Sequence, residues 1–264
     1  LSVILIGTIY PIFLDVISSE QISVGPPFYH KLIVPFLIPF LIAMTIGPKL
    51  KWIKSDLQNK LLLVSFLIIS ILLSLFIVRI SNTNFLLNTI LIGSAFYLFF
   101  MTLRDFYIKK FTNLSQNIAH FGFSVLILSI LFNNIFSTEV ITNLKIGETF
   151  ENEKFKIKFE KVDQQKSQNF DAVIGKFKIE NSNGSLDILK PELRIYNQPN
   201  IVTSEADIKT NLLTDKFITM NLVQNQNYFN IRYQIKPFMI WIWFSVLLIS
   251  LGGLLALFKK QYEN

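Results

Sequence analysis

The 264-residue chain contains no cysteine, which excludes disulfides, zinc–thiolate centres and thiol nucleophiles. Charge is scarce: Asp, Glu, Lys and Arg make up 16% of the residues, against about 25% in a soluble domain. Histidine occurs only twice. There is no Walker loop, GxGxxG, HExxH or serine-centred elbow, so the usual motifs of soluble enzymes give no support. Internal repeats and low-complexity linkers are missing as well. The chain begins at Leu1 inside an apolar run, and reads as one piece of a longer protein. That run is no signal peptide: a basic n-region is lacking, and Tyr10-Pro11 stands where small residues would mark cleavage.

What is abundant is apolar surface. Hydrophobic residues make up 51% of the chain and mean hydropathy is +0.45, which excludes disorder. These residues are bunched rather than periodic. Runs cover 32–47, 61–80, 85–103, 118–136 and 238–258, most of them near the roughly 17–25 residues that cross a bilayer core as a helix. Residues 1–14 read as the tail of a sixth span. The run at 32–47 is short and holds Pro35 and Pro39, which predicts a kinked span whose freed carbonyls are satisfied by neighbouring helices.

Residues 137–236 change character. Period-two alternation appears in Phe155-Lys156-Ile157-Lys158-Phe159, in Phe177-Lys178-Ile179, and over 217–223 and 228–235. Asn181-Ser182-Asn183-Gly184 is a turn signal between two such runs. The pattern predicts a β-domain of about 100 residues, a small sandwich or barrel inserted between membrane helices. The expected organisation is therefore membrane helices over 1–136, an outer β-domain over 137–236, and a last span with a cytoplasmic tail over 237–264. In fold class this is a polytopic α-helical membrane protein with an inserted all-β domain.

The net charge of +7 with a pI near 9.4 raises the question of nucleic acid. Location answers it. The β-domain holds 14 basic and 13 acidic residues, which is no footprint for phosphate. The excess sits in the membrane part, where nine of 11 basic residues fall at alternate ends of the spans. Lys49, Lys51, Lys54 and Lys60 lie in a loop at 48–60. Arg104, Lys109 and Lys110 lie in a loop at 104–117, and Lys259 and Lys260 in the tail. By the positive-inside rule these ends are cytoplasmic. The β-domain then lies outside, in a periplasm or an intermembrane space, with Trp241 and Trp243 near the outer interface.

Few residues can carry chemistry. His120, in Asn117-Ile118-Ala119-His120-Phe121-Gly122, lies just inside the inner end of its span, and an ionisable residue there is a functional candidate. Two readings are open. The imidazole bonds a neighbouring helix or snorkels to headgroups, or it ligates haem iron, with small Ala119 and Gly122 letting a flat macrocycle approach. The first is the more common fate of such a residue. His30 closes a stiff outer loop, Gly25-Pro26-Pro27-Phe28-Tyr29-His30, which either presents a surface to a partner or simply joins two helices. In the β-domain, Lys190-Pro191-Glu192-Leu193-Arg194-Ile195-Tyr196 and Thr203-Ser204-Glu205-Ala206-Asp207-Ile208 place charges among apolar residues. Salt bridges or partner contacts fit them better than a paired-carboxylate site, which needs a defined separation.

Taken in order, these motifs resemble the carboxy-terminal part of the CcmF family, the haem lyase component of cytochrome c maturation. The residues that carry the resemblance begin with Gly7-Thr8-Ile9-Tyr10-Pro11, Ile22-Ser23-Val24-Gly25-Pro26-Pro27-Phe28 and Ile118-Ala119-His120-Phe121-Gly122. The two charged motifs of the β-domain follow, then Lys236-Pro237, Trp241-Ile242-Trp243 and Gly252-Gly253. The order and spacing of the motifs across six membrane segments carry the match.

The resemblance implies a multi-span protein of the bacterial inner or mitochondrial inner membrane. It implies haem as the transferred substrate, taken from a haem chaperone of the CcmE type and attached to apocytochrome c beside thiol-handling subunits of the CcmH and CcmI type. It also implies a resident haem b that relays electrons, with His120 as one axial ligand to its iron. The second ligand and a tryptophan-rich haem-handling motif belong upstream of Leu1 in the family. This stretch alone is therefore expected to be inactive, its partner being the remainder of the same protein. Gly25, Pro26, Pro27, Glu192, Arg194 and Glu205 are expected to touch partners or the substrate haem, and His30 receives no role. The alternatives are the related haem lyase subunit for nitrite-reductase-type cytochromes, a membrane transporter built on broken helices, and a membrane-anchored scaffold.

Overall fold

A computed structural model describes residues 2–18, 26–49, 60–81, 85–109, 114–182, 184–223 and 227–262. They form two compact units, Leu1–Leu128 with Phe244–Asn264, and Ser129–Trp243. Six α-helices occur among the described residues: α1 Ser2–Ser18, α2 Pro26–Ile46, α3 Lys60–Ser81, α4 Phe85–Lys109, α5 Leu114–Phe136 and α6 Met239–Tyr262. Four stretches are long and apolar enough to cross a membrane: Lys60–Ser81, Phe85–Ile108, Leu114–Phe136 and Met239–Phe258. Ile4–Ser18 and Leu32–Ile46 are shorter apolar helices. The chain is a helical membrane protein.

Helix boundaries differ from the hydropathy runs in two places. The segment from Pro26 to His30, expected as a stiff loop, is the first turn of α2. Proline suits that position, since its missing N–H is one that a helix start leaves unbonded and its φ is already helical. The expected loop at 104–117 shrinks, because α4 runs on to Lys109 and α5 starts at Leu114.

Within the helical unit, Phe66 of α3 stacks on Phe100 of α4 with centroids 6.0 Å apart. Leu91, Ala95, Leu98 and Met101 of α4 are buried at the three- and four-residue spacing of one helix face. Hydroxyls in the spans bond to their own backbone, Ser70 Oγ to Phe66 O at 2.7 Å and Thr102 Oγ1 to Leu98 O at 2.9 Å. Such groups find no water in hydrocarbon, and a carbonyl one turn back satisfies them.

The other unit holds ten strands among its described residues: β1 Thr138–Leu144, β2 Thr149–Glu151, β3 Phe155–Lys166, β4 Phe170–Asn181, β5 Leu186–Leu189, β6 Glu192–Tyr196, β7 Ile201–Glu205, β8 Asp207–Thr210, β9 Thr214–Leu222 and β10 Phe229–Pro237. They make two antiparallel sheets, β1-β10-β9-β8 and β2-β3-β4-β6-β7, with β5 pairing β4. The alternation read from β3 is real. Phe155, Ile157 and Phe159 are buried while Lys156 and Lys158 are exposed, and a bulge between Phe159 and Lys161 then shifts the register. The turn after β4 closes at Gly184, whose φ of 76° favours glycine.

Inner faces of both sheets meet in one core. Phe159 stacks on Phe177 at 4.4 Å, with Phe229 edge-on at 5.3 Å and Phe155 against Tyr233 at 4.9 Å. Ile157, Ile179, Leu189 and Leu193 come from the larger sheet, and Ile218, Met220 and Ile231 from the smaller. This is a β-sandwich.

The strand-to-helix passage into α6 is tight. Phe238 links β10 to α6 at φ 60°, a left-handed conformation that costs a non-glycine residue about 1–3 kcal/mol. Several bonds hold it. Phe238 N donates to Leu213 O at 2.8 Å, and Phe238 O accepts from Trp241 N at 3.1 Å. Asn133 Nδ2 of α5 donates to Pro237 O at 2.6 Å, and the Phe132 and Phe238 rings lie 5.4 Å apart.

Candidate functional site

His120 is half-buried on α5, and its surroundings follow from its neighbours. Ser115 Oγ donates to Gly252 O of α6 at 2.9 Å. A Cβ on Gly252 would lie 2.7 Å from Ala119 N, and one on Gly122 would lie 2.9 Å from Leu248 Cβ. The small residues therefore let α5 and α6 touch backbone to backbone. The expectation that Ala119 and Gly122 leave room for a flat macrocycle is corrected: helix α6 fills that space.

The imidazole belongs to another side of α5. At about 100° per residue, His120 lies between the direction of Phe123 and that of Phe121. Phe123 meets Phe40 of α2 edge-on at 5.8 Å. Phe121 meets Phe99 and Phe106 of α4 at 5.6 and 5.5 Å. His120 thus leaves α5 away from the α6 seam, between phenyl pairs shared with α2 and with α4. A half-buried imidazole flanked by phenyl rings is a residue that could ligate a haem iron. No group of three or more His, Cys, Asp or Glu that could cage a metal ion occurs among the described residues, whereas a haem iron can be held by one imidazole from each of two segments.

Sequence reading missed two buried polar groups near this end of the bundle. Asp105 on α4 and Asn117 on α5 are 7% and 6% exposed, and Arg104 Nη1 lies 3.4 Å from Asp105 Oδ1. In the sequence, Arg104 reads only as a loop charge. The extension of α4 past Leu103 places both residues on a helix, which hydropathy alone does not show.

The β-domain residues come together in part. Glu192 on β6 is the register partner of Glu205 on β7. Arg194 Nε donates to Glu192 Oε2 at 2.9 Å and its guanidinium lies 4.9 Å from the Phe170 ring centre. Thr203 Oγ1 donates to Glu205 Oε1 at 3.1 Å. The cross-strand carboxylates thus share their surroundings with a guanidinium, as salt bridging requires and as a free acid–base pair would not. Gly25 lies outside the described residues. Pro26, Pro27 and His30 fall on α2.

One further cluster has no sequence signature. Asp187 on β5 is 5% exposed. It accepts from Lys209 of β8 at 2.6 Å, from Lys216 of β9 at 2.5 Å and from Asn181 at 3.1 Å, and so clamps one sheet to the other. Burial pushes its carboxyl up, but the three hydrogen bonds outweigh burial and hold it at about 2, below its ordinary 3.8. Tyr233, behind it in the core, is pushed well up by burial and by the Asp187 charge.

Because the folded state prefers the carboxylate, the clamp contributes fully above the unfolded pKa and is lost as pH falls through the folded one. Thermal melts of the detergent-solubilised protein should therefore show stability falling between about pH 4 and pH 2. The Asp187→Asn variant should lose that part of the slope. An unchanged slope would remove Asp187 from the account.

Comparison with known proteins places this architecture. Residues 135–237 match the family model described as the CcmF C-terminal beta-sandwich. The whole chain is similar to the cytochrome c-type biogenesis protein CcmF of Pseudomonas fluorescens, 26% identical with 99% of this chain and 42% of that protein covered. The Escherichia coli CcmF is 24% identical with the same coverage. The probable cytochrome c-type biogenesis protein NrfE of Escherichia coli is 20% identical over 97% of this chain and 36% of its own. A solved structure titled "Cytochrome c Heme Lyase CcmF" superposes with a TM-score of 0.71 at 21% identity, over 96% of this chain and 42% of that one. The chain thus spans about two fifths of the length of these CcmF relatives.

Proposed function

We propose, starting from a β-domain that matches the CcmF C-terminal β-sandwich model and helices that align with CcmF proteins along the chain's length, that the protein works in cytochrome c maturation. In this reading it binds haem and takes part in attaching it covalently to apocytochrome c on the outer side of the membrane. The observation that carries the haem assignment is His120, on the side of α5 away from the α6 seam and flanked by paired phenylalanines.

His120 would hold a b-type haem through its imidazole, together with a ligand from elsewhere in the full-length protein. The imidazole is held in orientation by the α5–α6 seam one residue away, where backbone contact fixes the rotation of α5. Phe121, Phe123 and their partners keep water from the site. When bound, the haem supplies one-electron chemistry, which suits a reaction that needs reduced iron and free thiols. With no cysteine of its own, this stretch leaves the thiols to the apocytochrome and its handling subunits.

Basic residues at alternate span ends support an orientation with the β-domain outside and His120 toward the cytoplasmic leaflet. The β6–β7 edge with Glu192, Arg194 and Glu205 is the candidate contact for the haem chaperone, the apocytochrome and their subunits, and the start of α2 at Pro26 and Pro27 is a separate candidate.

The test is haem content. Full-length protein purified in mild detergent should carry b-type haem, identified by its pyridine haemochrome. Protein purified free of haem from haem-replete cells would overturn the reading.

A further inference from the structure

The turn between β8 and β9 carries Leu212 and Leu213, which are 70% and 62% exposed. This turn has a fixed shape. Asn211 Oδ1 accepts from Leu213 N at 3.0 Å and from Thr214 N at 2.7 Å, and Asn211 N donates to Thr214 O at 3.1 Å. An asparagine side chain that bonds the backbone two and three residues on locks such a turn. Both leucine side chains are thus presented outward by a preformed scaffold.

The same turn is tied to the start of α6. Phe238 N donates to Leu213 O and Trp241 Nε1 to Leu212 O, each at 2.8 Å. Trp241 is the third residue of α6, whose stretch Met239–Phe258 can cross a membrane. The two leucines are therefore held at the level where that apolar stretch begins. Residues 210–214 carry no charge. Next along the chain, Asp215 is buried and Lys216 is engaged by Asp187. Nothing charged at the tip opposes entry into an apolar medium. Trp241, with its N–H bonded and 38% of the residue exposed, has the amphipathic character typical of a membrane–water boundary.

We infer that Leu212 and Leu213 form a lipid anchor. Their side chains enter the headgroup and upper acyl region of the bilayer that α6 crosses, giving the β-domain a second foothold besides its covalent links. The anchor rests on α6 being a membrane span. Because Trp241 fixes the height of the turn, bilayer lipid is the occupant at that level.

The chain has no cysteine, so Leu212→Cys introduces a single thiol into it for an environment-sensitive fluorophore. The full-length protein, with any upstream cysteine replaced, is reconstituted in phosphatidylcholine–phosphatidylglycerol vesicles. Some vesicles carry nitroxide near the headgroup and others nitroxide deep in the acyl chain. Gln168→Cys, on the exposed β3–β4 turn, is the aqueous control, and Leu247→Cys, exposed on α6, reports the span.

The label at 212 should emit blue-shifted and lose most of its emission to the shallow nitroxide, while the label at 168 keeps its emission. A water-like spectrum at 212 would overturn the anchor. So would a blue shift without lipid quenching, which would mean that a protein segment covers the turn. If the label at 247 escapes the deep nitroxide, the span itself fails and the anchor with it. Quenching at 247 without quenching at 212 refutes the anchor alone.

Discussion

Replacing His120 by alanine in the full-length protein is expected to abolish the bis-histidine b-type absorption spectrum. An axial imidazole cannot be replaced by a methyl group, and haem held on one side only has an altered spin state and weaker retention. The change should leave the fold intact. His120 is half-buried and lies off the α5–α6 seam, so its loss opens no contact between these helices. Size-exclusion behaviour and the cooperative melt of the β-domain should match those of the wild type. A normal bis-histidine spectrum in this variant would remove His120 from the haem site, whatever the family resemblance implies.

The largest effect on stability is expected at Phe159. Its side chain is fully buried, stacked on Phe177 and met edge-on by Phe229 of the opposite sheet. Truncation to alanine removes the transfer free energy of a phenyl ring and leaves a cavity that two facing sheets cannot close. The typical cost is about 3–5 kcal/mol. Whole domains are stable by only about 5–15 kcal/mol, so the melting midpoint of the β-domain should fall steeply. Ile141→Ala on the exposed face of β1 serves as the control, with an expected change within about 0.5 kcal/mol. A Phe159→Ala protein that melts with the wild type would mean that the sandwich core is not closed around this ring.

The sandwich was legible because its chemistry is local. Alternation in β3 follows from side chains pointing to opposite faces every second residue, and the Asn181–Gly184 turn from the φ that its glycine permits. Membrane spans were legible for a similar reason, since a run of apolar residues needs no partner to be recognised. What stayed hidden depends on contact between distant residues. Nothing in Asp187 announces that Lys209 and Lys216 converge on it from the other sheet. The roles of Ala119 and Gly122 could not be read either. Smallness is visible in sequence, but whether a helix or a cofactor takes the space is decided by α6. Likewise Pro26 and Pro27 look like a loop until it is known that α2 begins with them.

Gly252 and Gly253 are indistinguishable to any reading of composition, yet they stand under opposite constraints. A side chain at 253 meets nothing within 4 Å, while one at 252 runs into the backbone of Ala119 and the carbonyl of Ser115. The first position can drift neutrally among apolar residues. The second, and Gly122 across the seam, can take a side chain only if α5 and α6 move apart, so substitutions at the two are sterically coupled. His120 inherits that coupling. A substitution at 252 that never touched the imidazole would still displace it, because it would turn the helix that carries it.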